Sequence, residues 1–323
     1  MKCTSFSKST LLVSILMLTM VIGVANSQAM KLHYAGSGVG GGAYIVALAH
    51  AQVINEKVDG INVTVEATPG GVDNARLVNI NEFQIGHAAN IAAYNAYHGK
   101  AEFEGKPAKK ILGFVPLYSS FVQLVVLKDS SIKSVKDIKG KRISVGPMGS
   151  GTESIAKSFF TGAGMSYDDF KEYYLPYSET LNGLKSGSLD AGFIATGIPT
   201  PSVEEIAATH DIRIIPVQHE EAVEITDDYP YFSPGVIAAD TYQFLNKDLP
   251  TVRGFTVAFV NKDIPKDAVY KMTKAIWENK DILSSIHSSQ KYLEPDMVKY
   301  GIQPIMDIHP GAKQYYDEQN WLK

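Results

Sequence analysis

The sequence predicts an α/β protein built from two similar units. Three observations carry that expectation. From residue 30 onward, strand-type apolar alternation and helix-type apolar spacing follow one another repeatedly. The opening plan of strand, glycine-rich turn and helix starts again near residue 142. Finally, "TPGGVDNARLVNINEFQIG" and "LPYSETLNGLKSGSLDAGF" correspond by role, each reading strand end, turn, helix, short polar turn, strand. Alternating strands and helices argue for parallel sheets with helices on their faces. Two such units explain the repeat better than one large sheet.

In chain order, "KLHYAG" reads as a strand and "GAYIVALAHAQVINEKV" as a helix. "INVTVEAT" alternates as a strand, "PGG" is a turn, and "VDNARLVNINE" is a helix with Asp73 near its start. "FQIGHAA" is a short strand, and "NIAAYNAYHG" is a helix closed by Gly99. The stretch Ile111–Ile132 holds two apolar runs broken at Pro116 and Ser119–Ser120, placed to carry the chain from one unit to the other. "RISVG", a glycine turn and the helix "TESIAKSFFTGAG" then restart the plan, and Phe170–Gly197 reads strand, helix, strand. "VRGFTVAFVNKDI" is a strand, and "AVYKMTKAIWENKDILSSIH" reads as a strongly periodic helix. The tail, with Tyr315 and Tyr316 as packing or surface residues, returns to cover the first unit.

The N-terminus predicts export. Lys2 and Lys8 precede an uncharged apolar run, Leu11–Ala25, and Ser27–Ala29 offers a small-x-small cleavage site. Residues 1–29 read as a signal peptide removed near Ala29, with an uncleaved anchor as the alternative; the run is short for a membrane span. Cys3, the one cysteine of the chain, lies ahead of the apolar run, which argues against a lipoprotein anchor. A mature chain without disulfides depends on burial, and 45% hydrophobic residues over this length supply it. A net charge of −4 offers no basic excess for nucleic acid or anionic lipid. Arginine is scarce: Arg76, Arg142, Arg213 and Arg253 are the whole set. An anionic ligand therefore has few bidentate clamps available, and Arg76 reads as half of a helix-surface ion pair.

Gly36, Gly38 and Gly41 fit G-x-G-x-x-G after a strand, and Glu66 stands roughly where a dinucleotide site wants an acid. Export and the second turn, "GPMGSGTES", count against a nucleotide. Two glycine turns at helix N-termini, facing across a cleft, suit a small carboxylate held by backbone N–H and hydroxyl groups. Ser150 and Thr152 are donors there, or simply caps of their own helix. Glycines that serve packing alone are the plain alternative for the first turn. Enzyme signatures are poor. Ser154 and Lys157 fit S-x-x-K, but no S-D-N or K-T-G follows. The histidines are scattered without H-x-x-x-H, so no metal and no cofactor is expected. "NVT" at Asn62 reads as a chance sequon.

Together "GSGVGGGAY", "VTVEATPGGVDNARLV", "GKRISVGPMGSGTES", "SGSLDAGFIATGIPTPSVEEIA" and "HPGAKQYY", in this order over nearly all of 30–323, resemble the TAXI-type solute receptors of TRAP transporters. The resemblance implies the two-lobed periplasmic binding protein fold (type II, Venus-flytrap), each lobe a mixed, mostly parallel sheet flanked by helices. Lobe 1 would comprise 30–118 plus 235–323, and lobe 2 would comprise 119–234. It implies a periplasmic, monomeric, non-enzymatic receptor that closes on glutamate, 2-oxoglutarate or a related dicarboxylate and passes it to a TRAP membrane permease. The family's ligand contacts map to Gly40, Gly41, Gly42, Ala43 and Tyr44, to Asn90, and to Gly149, Ser150, Gly151 and Thr152. Thr196 and Gly197 stand on the other wall. The chain departs from the pattern at Gly42 and Ala43, where many members carry Thr and Tyr, and at "AAN", where many read Q-S-D. These changes remove hydroxyl and carboxylate groups from the implied pocket. The alternatives are an exported serine enzyme using Ser154 and Lys157, and a receptor that docks on a sensor kinase.

Overall fold

The computed structural model describes residues 1, 29–39, 42–148 and 150–323; the signal-peptide expectation and Gly40, Gly41 and Gly149 lie outside them. The first unit runs β1 (Met30–Ala35), α1 (Gly42–Lys57), β2 (Ile61–Glu66), α2 (Gly71–Asn79), β3 (Ile85–Ala89) and α3 (Asn90–His98). The long strand β4 (Ile111–Leu127) leads to the second unit: β5 (Arg142–Ser144), α4 (Gly151–Gly162), β6 (Lys171–Tyr173), α5 (Tyr177–Lys185), β7 (Ala191–Thr196), α6 (Pro201–Ala207), β8 (Ile212–Ile215), α7 (His219–Asp227) and β9 (Ser233–Ile237). A second long strand, β10 (Leu249–Asn261), returns the chain to α8 (Lys266–Glu278), α9 (Lys280–Ile286), α10 (Asp296–Gly301) and α11 (Pro310–Glu318).

The repeat seen in the sequence is a repeat of topology. β1 lies between β2 and β3, parallel to both, and β5 lies between β6 and β7 in the same manner. The two units share one sheet, in the order β2-β1-β3-β10-β4-β7-β5-β6, because the antiparallel pair β4 and β10 runs through both halves. The break expected at Pro116 does not occur. Pro116 sits at a register shift against Val257 and Thr256, where an irregular ladder tolerates a residue without an N–H. Ser119 and Ser120 continue the strand opposite Phe255 and Gly254.

The periodic helix of the last third is two helices, α8 and α9. The backbone leaves helical geometry at Asn279, whose side-chain amide donates to the Ala275 carbonyl (2.8 Å) and so satisfies an orphan acceptor at the end of α8. The tail covers the first half as expected. Tyr315, Tyr316, Trp277 and Trp321 pack ring against ring, and the Tyr316 hydroxyl donates to the Phe114 carbonyl of β4 (2.5 Å).

The main core runs beneath both halves, and a second cluster lies against the far half. That second cluster includes Ile237, Tyr242, Leu245 and Leu249 together with Val125 and Ile194. The Tyr242 hydroxyl donates to Gln123 (2.6 Å) and accepts from the Thr200 N–H (2.9 Å). The segment from Ile237 to Leu249 packs with the second half, and β10 carries the chain back to the first. No helix of the described residues is long and apolar enough to cross a membrane.

Candidate functional site

Three helix N-termini converge on one cavity. The turn after β2 brings in α2 through Gly70, at φ 149°, a backbone conformation that favours glycine. Gly71 follows, and a Cβ there would lie 2.7 Å from the Ala88 Cβ, so only glycine lets α2 start so close to the end of β3. α3 begins directly after β3, at Asn90, and α4 begins after Ser150 in the other half of the sheet. Gly70 and Gly71, Ala89 and Ile91, and Ser150 and Gly151 line a cavity of about 430 Å³. That is room for a small solute. Helix N-termini carry partial positive charge and N–H groups without intrahelical partners, a setting that favours negative charge nearby. No lysine or arginine of the described residues lines it. Of its carboxylates, Asp73 is paired with Arg76 (3.1 Å), the surface ion pair expected for that arginine, and Glu102 is exposed. The other arginines are committed elsewhere: Arg142 to Asp190, Arg213 to backbone carbonyls including that of Ser130, and Arg253 to Asp296.

The expected site residues divide into groups. Ser150 and Gly151 line the cavity, as do Ala89 and Ile91 on either side of Asn90. The Ser150 hydroxyl accepts from the Glu153 N–H (3.2 Å), which caps α4. Thr152 hydrogen-bonds the Tyr177 hydroxyl (2.6 Å), which also donates to the Ala195 carbonyl (3.0 Å). Asn90 is 3% exposed and donates from Nδ2 to the Tyr231 carbonyl (2.6 Å), tying the start of α3 to the segment before β9. Gly42, Ala43 and Tyr44 do not line this cavity. Gly42 lies beside His287, and the Tyr44 ring covers Gly36. Thr196 ends β7, and Gly197 lines a different cavity of about 590 Å³ with Ser119, Arg253 and Asp296. Ser154 borders the first cavity, and Lys157 lies one turn further along α4.

A buried polar network holds the first glycine turn, and sequence reading missed it. Ser37 stands at φ 66°, left-handed for a residue with a side chain. Its N–H donates to Thr68 Oγ1 (3.0 Å) and its carbonyl accepts from the Thr68 N–H (3.1 Å). Its hydroxyl meets His87 Nε2 (2.9 Å) and accepts from Asn74 Nδ2 (3.1 Å). Asn74, fully buried, also donates to the His87 carbonyl (2.8 Å) and accepts from the Thr68 hydroxyl (2.5 Å). Burial, reinforced by the nearby His50 imidazole, lowers the pKa of His87 to about 3, and burial lowers that of His50 to about 4. Thr68 and Asn74 belong to "VEATPGGVDNARLV", but nothing in their spacing points to Ser37, more than thirty positions earlier.

This arrangement of two βαβ units joined by two long antiparallel strands is the two-lobed fold of periplasmic binding proteins. A TctC solute binding protein from Polaromonas shares it at a TM-score of 0.55 and 14% identity, over 92% of this chain and 99% of that one. A Xanthomonas citri protein bound to ATP matches at 0.50 and 10% identity, over 90% and 98%. The periplasmic aliphatic sulphonate binding protein SsuA from Escherichia coli matches at 0.48 and 13% identity, over 90% and 78%. The chain belongs to the NMT1-like family, whose model matches residues 34–319.

Proposed function

We propose that the protein is an extracytoplasmic solute receptor that closes its two lobes on a small organic acid, in the class of glutamate, 2-oxoglutarate and related dicarboxylates. The observation that carries this reading is the meeting of α2, α3 and α4 at one cavity, with helix N-termini from both halves of the sheet. A ligand touching both sides favours the closed arrangement by its extra contacts there. The solute-binding title of the Polaromonas neighbour supports the same class. Backbone N–H groups at the starts of the three helices bind the carboxylate oxygens, in place of the arginines that are paired elsewhere. Ser150 and Gly151 at the start of α4 border the closing cleft, and Asn90 braces it through Tyr231.

In this reading lobe 1 comprises residues 30–118 and the chain from the middle of β10 onward, and lobe 2 comprises the part between. β4 and β10 are the hinge. The protein works in the periplasm after removal of residues 1–29, as a monomer, and hands its solute to a TRAP-type permease.

The test is a thermal-shift screen of dicarboxylates, keto acids and amino acids on the purified mature chain, followed by calorimetry. A ligand at one hundred times its Kd stabilises the folded state by about 2.7 kcal/mol, a clear rise in melting temperature. If no small acid raises the transition and none co-purifies, the receptor reading fails.

A further inference from the structure

Tyr231, just ahead of β9, touches two helices that belong to different halves of the molecule. On α3, Asn90 donates from Nδ2 to the Tyr231 carbonyl (2.6 Å). Tyr94, one turn further along α3, meets the Tyr231 ring edge to face, with centroids 5.6 Å apart. On α4, Ser158 Oγ lies 3.4 Å from the Tyr231 hydroxyl. The residue that makes these contacts is buried. Asn90 and Tyr94 share one stripe of α3, so backbone and ring of Tyr231 are held by the same helix face.

The same two helices wall the cavity at their starts. Ile91 and Asn95 of α3 line it, as do Gly151 and Ser154 of α4. Ser158 is the next position along that stripe of α4, so Tyr231 reaches α4 one turn beyond the cavity. Tyr231 is itself backed by aromatic rings. Phe232 packs against it with centroids 5.0 Å apart, and Tyr229 at 5.5 Å. Phe232 in turn rests on β10, the long strand common to both halves. A Cβ at Gly254 of β10 would lie 3.7 Å from the Phe232 ring and 3.5 Å from Asn90 Oδ1. On the far side of Tyr94, Lys100 Nζ donates to the Tyr94 hydroxyl (3.0 Å) and steadies that ring.

We propose that Tyr231 is a positioning residue for solute binding, holding the starts of α3 and α4 at the spacing at which one ligand reaches both. It does so from outside the cavity, whose lining it does not join among the described residues. This role rests on the cleft reading given above, and it adds the element that sets the width of that cleft. The two grips are unequal. The bond from Asn90 is short, whereas 3.4 Å is long for a pair of hydroxyls. Opening of the cleft therefore parts Tyr231 from Ser158 and leaves it on α3. Loss of the Ser158 contact lowers the fraction of molecules with both walls in place, and the apparent affinity falls by that fraction.

The distance between the halves, measured by double electron–electron resonance without any solute, is the test. A chain that begins at residue 30 has no cysteine of its own, so Gln52→Cys on α1 and Asn182→Cys on α5, both exposed, carry the spin labels. In that background Tyr231→Phe and Ser158→Ala are each expected to shift the distribution to longer distances. The two together are expected to shift it no further, because both remove the same contact. Tyr231→Ala, which also strips the ring from Tyr94, is expected to shift it most; Tyr94→Ala replaces it if that variant does not fold. Unchanged distances in these variants, even with a lowered urea midpoint, would make Tyr231 a packing residue only and overturn the proposal, as would additive shifts in the Tyr231–Ser158 pair. With a solute found by screening, Tyr231→Phe is expected to release it about threefold faster at an unchanged association rate, and an unchanged release rate counts against the role. If screening finds no solute, the distances still decide what Tyr231 does, so the two readings fail separately.

Discussion

The two strand–turn–helix units follow one plan, and they are held in different ways. The first turn is fixed from outside. Ser37 is gripped by Thr68, Asn74 and His87, between 31 and 50 positions away in sequence. The second turn is fixed mainly by its own helix, with one clamp from α5. Gly146, at φ 92°, packs against Thr152, Ser150 caps α4, and the Tyr177 hydroxyl clamps Thr152. A turn held by distant partners is as rigid as the sheet that carries them. A turn held by its own helix moves with that helix. The difference suits a cleft in which one wall is preset and the other arrives by closure.

The comparison is broken most severely at Gly146. A Cβ there would lie 2.7 Å from Thr152 Cγ2 and 2.8 Å from Thr152 Cβ, on a backbone of the wrong hand for an L side chain. Gly146→Ala is expected to cost about 3 kcal/mol, combining left-handed strain with overpacking. Urea denaturation reads this directly, and a loss below about 1 kcal/mol would mean that the second turn yields more easily than its contacts indicate.

Next in size comes the first turn. Asn74→Ala strips partners from Ser37, Thr68 and the His87 carbonyl at once, in a fully buried place. A cost of about 2 kcal/mol is expected, against about 1 kcal/mol for Ser150→Ala, which removes one helix cap. Equal costs in the same denaturation series would erase the distinction between the two turns.

Acid separates the halves as well. His50 and His87 both belong to the first lobe and titrate at about 4 and about 3, below the ordinary histidine value of 6.5. The unfolded chain thus binds more protons than the folded one between those limits. Stability is complete above about pH 6.5 and falls as pH drops through 4. Denaturant midpoints at pH 7 and pH 4.5 check the sign, and His50→Gln is expected to flatten the dependence. A steeper fall in that variant would place the acid-sensitive group elsewhere.

These contrasts also mark what the sequence makes legible. Strand and helix order follows from apolar period, and the repeat of β2-α2-β3 in β6-α5-β7 shows as a repeat of roles. Polar grips such as Ser37 with His87 do not show, because their partners are fixed by sheet register rather than by spacing. The same limit applies to β4, whose continuity past Pro116 depends on the ladder to β10. It applies again at Asn279, where a side chain capping α8 ends a helix that apolar period alone would extend. Of the expected site residues, Ser150 and Gly151 reach the cavity, while Asn90 and Thr152 spend their polar groups on Tyr231 and Tyr177. Residue type and motif single out the helix starts at Asn90 and Ser150. Which polar atoms stay free is decided by packing.

The smallest structural change gives the sharpest test of the first turn as a binding element. A Cβ added at Gly38 would meet nothing within 4 Å, and the backbone there is not left-handed, in contrast to Gly146. Gly38→Ala is therefore expected to leave stability within about 0.5 kcal/mol of the parent. A ligand that approaches the turn backbone would still meet the added methyl, so affinity should fall about tenfold while the urea midpoint stays in place. Calorimetry with the solute found by screening makes the measurement. Unchanged affinity would remove the first turn from the binding surface and leave the three helix N-termini to hold the ligand. A lower midpoint would instead mean that the turn packs against something beyond its own loop.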